Sequence, residues 1–197
     1  MDFTIRIRVA AVNGVAKHLP NVLTALRLAA APALAFLLVR GADRAALGVF
    51  AFAGLSDAAD GFLAKRFGLS TRFGRLLDPA ADKVLMLVSF VTLTILGVAP
   101  VWLTLLVLAR DAAIVAGLLL ARLLNIPVRV APLLIGKASM AMQIIYIALA
   151  LVLLTFGLRW PTVESVAADA TALLTVGSWL GYAMVGAKAI ARQRSPA

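Results

Sequence analysis

Long apolar stretches alternate with short polar or turn-forming links along this chain, and that rhythm leaves few folds open. Six stretches stand out, over residues 20–39, 45–66, 76–97, 100–123, 133–156 and 169–190. A helix crossing a bilayer needs about 20 mostly apolar residues, and each stretch is near that length. Only 14% of the residues are charged and the mean hydropathy is +1.01, more apolar surface than a soluble domain of 197 residues carries. The pattern predicts an all-α integral membrane protein with six transmembrane helices, forming a single membrane domain over residues 1–197. Residues 1–19 lack a continuous apolar core ending in a small-residue cleavage site, so they do not read as a secretory signal. Their mixture of Ile5, Ile7 and Val9 with Arg6 and Arg8 predicts a short interfacial helix.

The links carry recognisable turn signals. Pro20 and Asn21 open the first stretch, and "RGADR" at 40–44 leads to the second. "FGLSTRFG" at 67–74 follows, then Gly97 and Pro100, "NIPVRVAP" at 125–132 and "GLRWPTVESVAAD" at 157–169. Six spans return both termini to one side. That side receives Arg6, Arg8, Lys17, Lys65, Arg66, Arg72, Arg75, Arg122, Arg129, Lys137, Lys188, Arg192 and Arg194. The opposite side receives Arg40, Arg44 and Arg159, offset by Asp43, Glu164 and Asp169. The excess of basic residues places both termini in the cytoplasm. The net charge of +10 then faces an anionic leaflet and requires no nucleic-acid partner. The absence of cysteine excludes disulfides and thiolate metal sites, and the single His18 excludes a site built from several histidines of one chain.

Against this background, "DAADGFLAKRFGLSTRFGRLLDPAAD" at 57–82 concentrates four of the nine acidic residues. Asp57 and Asp60 are three apart near the cytoplasmic end of the second span, so they share a helix face. Asp78 and Asp82 are four apart at the cytoplasmic end of the third and also share a face. The intervening loop returns the chain to the same membrane surface, so the pairs can converge. Asp78 precedes Pro79 and also suits a helix N-cap with proline at the first helical position, which would place Asp82 in the favourable first turn. Asp57 and Asp60 lie toward a helix C-terminus, where the dipole opposes negative charge. Asp57 is about 13 Å of helix from Arg66, below the headgroups, where ionisable groups are costly and usually functional. Bound divalent cations relieve the repulsion among four carboxylates. Oxygen donors alone favour Mg²⁺ or Mn²⁺, and two such ions suit phosphoryl chemistry. Gly61 and Gly74 suit either close approach of a ligand to the backbone or helix–helix packing. Lys65, Arg66, Arg72 and Arg75 suit either a diphosphate or snorkelling at the membrane surface.

These residues resemble the signature of the CDP-alcohol phosphotransferase family, D-x2-D-G-x2-A-R-x8-G-x3-D-x3-D. Here the pattern falls on Asp57, Asp60, Gly61, Ala64, Lys65, Gly74, Asp78 and Asp82 with every spacing kept. It departs at Lys65, where the family usually carries Arg; Arg66 follows, so a cation remains, though not one with the bidentate reach of a guanidinium at position 65. "LPNVLTALR" at 19–27 and "GKASMAMQ" at 136–143 resemble the family's first-helix start and fifth helix. The resemblance implies six transmembrane helices, usually as a homodimer; the basic asymmetry turns the aspartate end, and with it the active site, to the cytoplasmic side of a bacterial-type cell membrane. It implies transfer of a phosphatidyl group from CDP-diacylglycerol to an alcohol, releasing CMP. It assigns Asp57, Asp60 and Asp78 to one metal, and Asp57, Asp78 and Asp82 to the other. Asp82 would also serve as general base. Asn21, Thr24, Gly61, Lys65, Thr71 and Gly74 would line the CDP site.

The acceptor is less constrained. Around "STRFGRLLDPAADKV" the chain resembles the family's phosphatidylglycerophosphate synthases, which act on glycerol 3-phosphate. Those enzymes usually carry an Arg-Glu pair in helix four and a second Arg eight residues after the first. Here Arg110 is followed by Asp111, and position 118 is Leu118. Arg110 and Lys137 remain as acceptor-binding candidates, few for a small dianion. "ARDAAIVAG" resembles instead the eukaryotic-type cardiolipin synthases, which favours phosphatidylglycerol as the acceptor. Arg110 could alternatively anchor the helix interior; because adjacent helical residues point in different directions, a pair between Arg110 and Asp111 is not expected. A cation or proton transporter using buried aspartates is the competing class, although its acids would be expected near the bilayer midplane. The topology is open to test in this cysteine-free chain. Ser70→Cys and Ser195→Cys should label from the cytoplasm and Ala42→Cys from outside, and labelling of Ala42→Cys and Ser70→Cys from one side would break the six-span reading.

Overall fold

In the computed structural model, the described residues are 25–67, 74–124 and 133–194, with side chains described over 25–57, 81–124 and 133–188. They form six helices: α1 (Ala25–Val39), α2 (Asp43–Phe67), α3 (Gly74–Ile95), α4 (Val101–Leu123), α5 (Leu134–Phe156) and α6 (Pro161–Arg194). No strand occurs among the described residues. The predicted interfacial segment 1–19 lies outside them.

Helix ends follow the turn chemistry in the links. After α1, Gly41 adopts φ 70°, its N–H donates to the Leu38 carbonyl, and the Ala42 N–H donates to that of Leu37. These bonds satisfy carbonyls that a helix leaves open at its C-terminus, and the positive φ is one that glycine adopts without strain. The same closure ends α3 at Gly97 and α5 at Gly157. Pro100 then immediately precedes α4. The sixth helix begins eight residues before the predicted boundary at 169. Pro161 supplies a preset helical φ at its first position, and Glu164 accepts a hydrogen bond from the Trp160 N–H at 3.2 Å while placing negative charge in the first turn. At 34 residues α6 is about 51 Å long, more than the ~30 Å hydrocarbon core requires.

Helices α4, α5 and α6 (over Pro161–Lys188) are long and apolar enough to cross a membrane. The acidic motif occupies parts of α2 and α3, which leaves those helices shorter apolar runs. On α4 the buried residues Leu103, Val107 and Arg110 recur at helical spacing on one face. Val101, Leu105, Val115, Leu119 and Leu123 are exposed, an apolar surface suited to lipid.

Two compact units meet in sequence within α3, between Thr92 and Leu93. In the first, Ala31 of α1, Ala53 of α2 and Leu85 of α3 form a buried cluster flanked by Ala30 and Val88. Two of the three central residues are alanine, which lets helix backbones approach closely, as small residues do in membrane bundles. In the second unit α6 packs against both α4 and α5. Its buried residues Ala168, Thr171, Thr175 and Ser178 recur every three or four positions, a stripe of small side chains. Ser139 and Gln143 of α5 meet Thr175 across that stripe at 3.3 and 3.4 Å. Ala31 is fully buried, so Ala31→Leu should overpack the α1–α2–α3 cluster. The expected loss is about 1–3 kcal/mol, read as a lowered midpoint of thermal unfolding in detergent.

Candidate active site

Helical register carries the site up from the α1–α2–α3 cluster. Arg27 lies one turn before Ala31, Asp57 one turn after Ala53, and Asp82 three residues before Leu85. Each helix therefore presents a charged residue at the same end of the small apolar core. There the Arg27 guanidinium bridges two helices: Nη2 meets Asp57 Oδ1 at 2.9 Å and Nη1 donates to Asp82 Oδ1 at 2.8 Å. The Arg27 side chain is 3% exposed, whereas those of Asp57 and Asp82 are 51% and 34% exposed. The cation is thus buried while both of its acid partners keep exposed surface. A guanidinium taken this far from water is costly unless acids compensate it. Its Nε is also buried and has no acceptor among the described residues.

Asp57 and Asp82 therefore meet on one guanidinium, as expected of a chain that returns to the same membrane surface between them. Asp60 follows Asp57 by three residues in α2, and Asp78 precedes Asp82 by four in α3; their side chains lie outside those described. No group of three or more metal-ligating side chains occurs among the described residues. The alternative reading of Asp78 as an N-cap is corrected. Helix α3 begins at Gly74, so Asp78 and Pro79 are inside it, and no acid occupies its first turn. Proline there cannot donate the backbone bond that the Arg75 carbonyl would otherwise accept. Of the candidate CDP-site residues, Gly61 and Lys65 are on α2 and Gly74 is the first residue of α3. Asn21, Thr24 and Thr71 lie outside the described residues.

Arg27 is the functional candidate that sequence reasoning passed over. It is the single Asp, Glu, Lys or Arg between Lys17 and Arg40, and a lone ionisable residue inside an apolar span is itself a signal.

In the second unit Arg110 is 3% exposed. Its Nη1 meets Asp111 Oδ1 at 2.6 Å and its Nη2 donates to Ser178 Oγ at 2.6 Å. The pairing with Asp111 overturns the expectation that adjacent helical positions diverge too far. Their Cα–Cβ directions differ, but the arginine side chain is long enough to fold back on its neighbour. The Arg110 guanidinium carbon also lies 5.9 Å from the Tyr182 ring centre. The Tyr182 hydroxyl sits 2.9 Å from the point a Cβ on Gly136 would occupy, so glycine at 136 gives the ring its place. Lys137, the next residue, is exposed in the first turn of α5.

Six helices with a carboxylate pair held at one end of α1–α3 fit the sequence resemblance, and comparison with known proteins extends it. The profile of CDP-alcohol phosphatidyltransferases matches residues 17–184. The chain belongs to the CDP-alcohol phosphatidyltransferase family. It is 31% identical to "Cardiolipin synthase (CMP-forming)" of Rattus norvegicus, over 87% of this chain and 62% of the rat protein. It is 44% identical to "Cardiolipin synthase (CMP-forming)" of Streptomyces coelicolor, over 48% of this chain and 46% of that one. "Probable phosphatidylglycerophosphate synthase" of Mycobacterium tuberculosis is 37% identical over 49% of each chain. The chain thus spans less than two thirds of the length of these relatives.

Ser178→Ala removes an acceptor from the buried Arg110 guanidinium. A hydrogen bond to a charged group contributes about 1.5–3 kcal/mol, so the variant should unfold at measurably lower temperature in detergent than the parent chain.

Proposed function

We propose that this protein is a metal-dependent phosphatidyltransferase of phospholipid synthesis. It transfers the phosphatidyl group of CDP-diacylglycerol to an alcohol and releases CMP. The observation that carries this reading is the convergence of Asp57 and Asp82 on one cation at the end of the α1–α2–α3 core, within the family's complete acidic spacing. Family membership favours the transferase over a cation or proton transporter.

The donor set suits two hard divalent cations, Mg²⁺ or Mn²⁺, because every candidate ligand is a carboxylate oxygen. Asp57 and Asp82 already share one cationic partner, and each carboxylate has more lone pairs than that contact uses. Asp60 and Asp78 would complete the set. When bound, such ions neutralise the diphosphate and stabilise the departing CMP. The remaining work belongs to the chain. Asn21, Thr24, Gly61, Lys65, Thr71 and Gly74 bind the CDP moiety, with the glycines admitting it close to the backbone. Asp82 takes the proton of the acceptor hydroxyl as that oxygen attacks phosphorus. We assign acceptor recognition to Lys137 and Arg110, the latter already oriented by Asp111 and Ser178.

All six helices span the membrane in this reading, including α1, α2 and α3. Both termini and the aspartate motif face the cytoplasm of a bacterial-type cell membrane, the side that collects the basic residues. The chain forms one membrane domain, with residues 1–19 at the interface, and works as a homodimer.

Phosphatidylglycerol is the favoured acceptor. Leu118 stands where glycerophosphate-using members of the family carry an arginine, and a phosphate dianion buried without matched donors is strongly disfavoured. Phosphatidylglycerol brings one phosphodiester charge and a terminal hydroxyl, and it can approach within the leaflet. The relatives named as cardiolipin synthases support this choice; the mycobacterial relative keeps glycerol 3-phosphate as the second reading. The test gives purified protein CDP-diacylglycerol, Mg²⁺ and each acceptor separately, with products identified by mass spectrometry. Cardiolipin should form faster than phosphatidylglycerophosphate, and chelator or Asp82→Asn should stop both. Efficient use of glycerol 3-phosphate with phosphatidylglycerol untouched would reverse the acceptor assignment.

A further inference from the structure

We infer that Arg27 is a positioning residue for the metal-binding carboxylates, setting the spacing of Asp57 and Asp82 before a divalent cation arrives. This rests on the assignment of those aspartates to metal. Three observations carry it. The guanidinium is rigid and planar, and it uses its two terminal nitrogens on two helices, at 2.9 Å to Asp57 and 2.8 Å to Asp82. It is anchored in place, being 3% exposed and one turn from the packed Ala31. And it engages Oδ1 of each acid, while the Asp57 and Asp82 side chains are 51% and 34% exposed.

Two carboxylates held on one guanidinium repel one another. Without a fixed cation they would relax apart, and a metal would have to draw them back at the expense of its own affinity. An arginine holds both acids at once because its two donor nitrogens keep a constant separation. A lysine keeps the charge but offers a single nitrogen on a flexible stem, so it cannot fix two acids in one geometry. The guanidinium also carries the same charge as the metal, so two effects compete. Positioning raises metal affinity, and Coulomb repulsion lowers it. We assign the larger effect to positioning because one guanidinium fixes both acids through their Oδ1 atoms, and Arg27→Gln reads the balance between the two.

The experiment measures Mn²⁺ binding to the full chain in detergent, without substrate, by the loss of the free-ion paramagnetic resonance signal. Arg27→Lys should bind Mn²⁺ at least tenfold more weakly than the parent chain despite its retained charge, and Arg27→Gln should also bind more weakly. Circular dichroism and gel filtration establish that each variant is folded. Should Arg27→Lys fail to fold, Arg27→Gln decides alone, since its neutral planar amide leaves no unpaired buried charge. Unchanged affinity in Arg27→Lys would overturn the inference by reducing Arg27 to a counter-charge. Tighter binding in Arg27→Gln would overturn it by making the guanidinium a competitor of the metal. Absence of Mn²⁺ binding in the parent chain is a separate result: it would remove the metal assignment itself, and this inference with it.

Discussion

A buried cation in an apolar chain needs a matched anion, and in the first unit the Arg27 guanidinium finds two. Its contacts with Asp57 and Asp82 tie α1 to α2 and to α3 at the end of their shared core. The bridge is possible because Ala31 and Ala53 keep the helices close. Larger side chains at those positions would separate the backbones and pull the acids from reach. The bridge in turn limits repulsion between two carboxylates on neighbouring helices. Packing and electrostatics are therefore interdependent here: the small core brings the three helices within reach, and the guanidinium holds one acid of α2 and one of α3 within that reach.

The second unit handles polar groups differently. Ser139 and Gln143 of α5 join it to α6 through weak contacts with Thr175 at 3.3 and 3.4 Å. Thr171 and Thr175 donate to carbonyls one turn back in their own helix, both at 2.7 Å. Such bonds satisfy hydroxyls where lipid offers no partner, and the small side chains allow close helix contact. Arg110 follows the same rule at greater cost, held by Asp111, Ser178 and the face of Tyr182. Gly136 contributes by having no side chain, which leaves space for the tyrosine.

Chemistry and membrane insertion make opposing demands on α2 and α3. The proposed metal-assisted phosphoryl transfer needs acids close together, whereas the bilayer disfavours them. The proposed arrangement meets both by keeping the acids in the C-terminal half of α2 and the N-terminal half of α3, with apolar runs before Asp57 and after Lys83. Among the described residues α4, α5 and α6 are long and apolar enough to cross a membrane, and they carry no part of the acidic motif.

Much of this was legible in local sequence. Apolar length and turn-forming links located the described helix ends of α2 to α5 and the end of α1 to within a few residues; the expected start of α1 at 20 lies outside the described residues, and α6 starts earlier than expected because Pro161 and Glu164 initiate a helix inside a segment read as a link. The spacing of Asp57, Asp60, Asp78 and Asp82 is a property of neighbouring positions, so the motif and the family could be recognised without coordinates. Pairing between helices was not legible in the same way. That Arg27 reaches Asp57 and Asp82, 30 and 55 residues away, depends on the register of three helices and on how closely their alanines pack. That Arg110 turns back to Asp111 depends on side-chain length and on the space beside Ser178 and Tyr182. Local spacing determined which residues could share a helix face; only tertiary packing decided which charges meet, because a salt bridge between helices is set by distances that no single stretch of sequence contains.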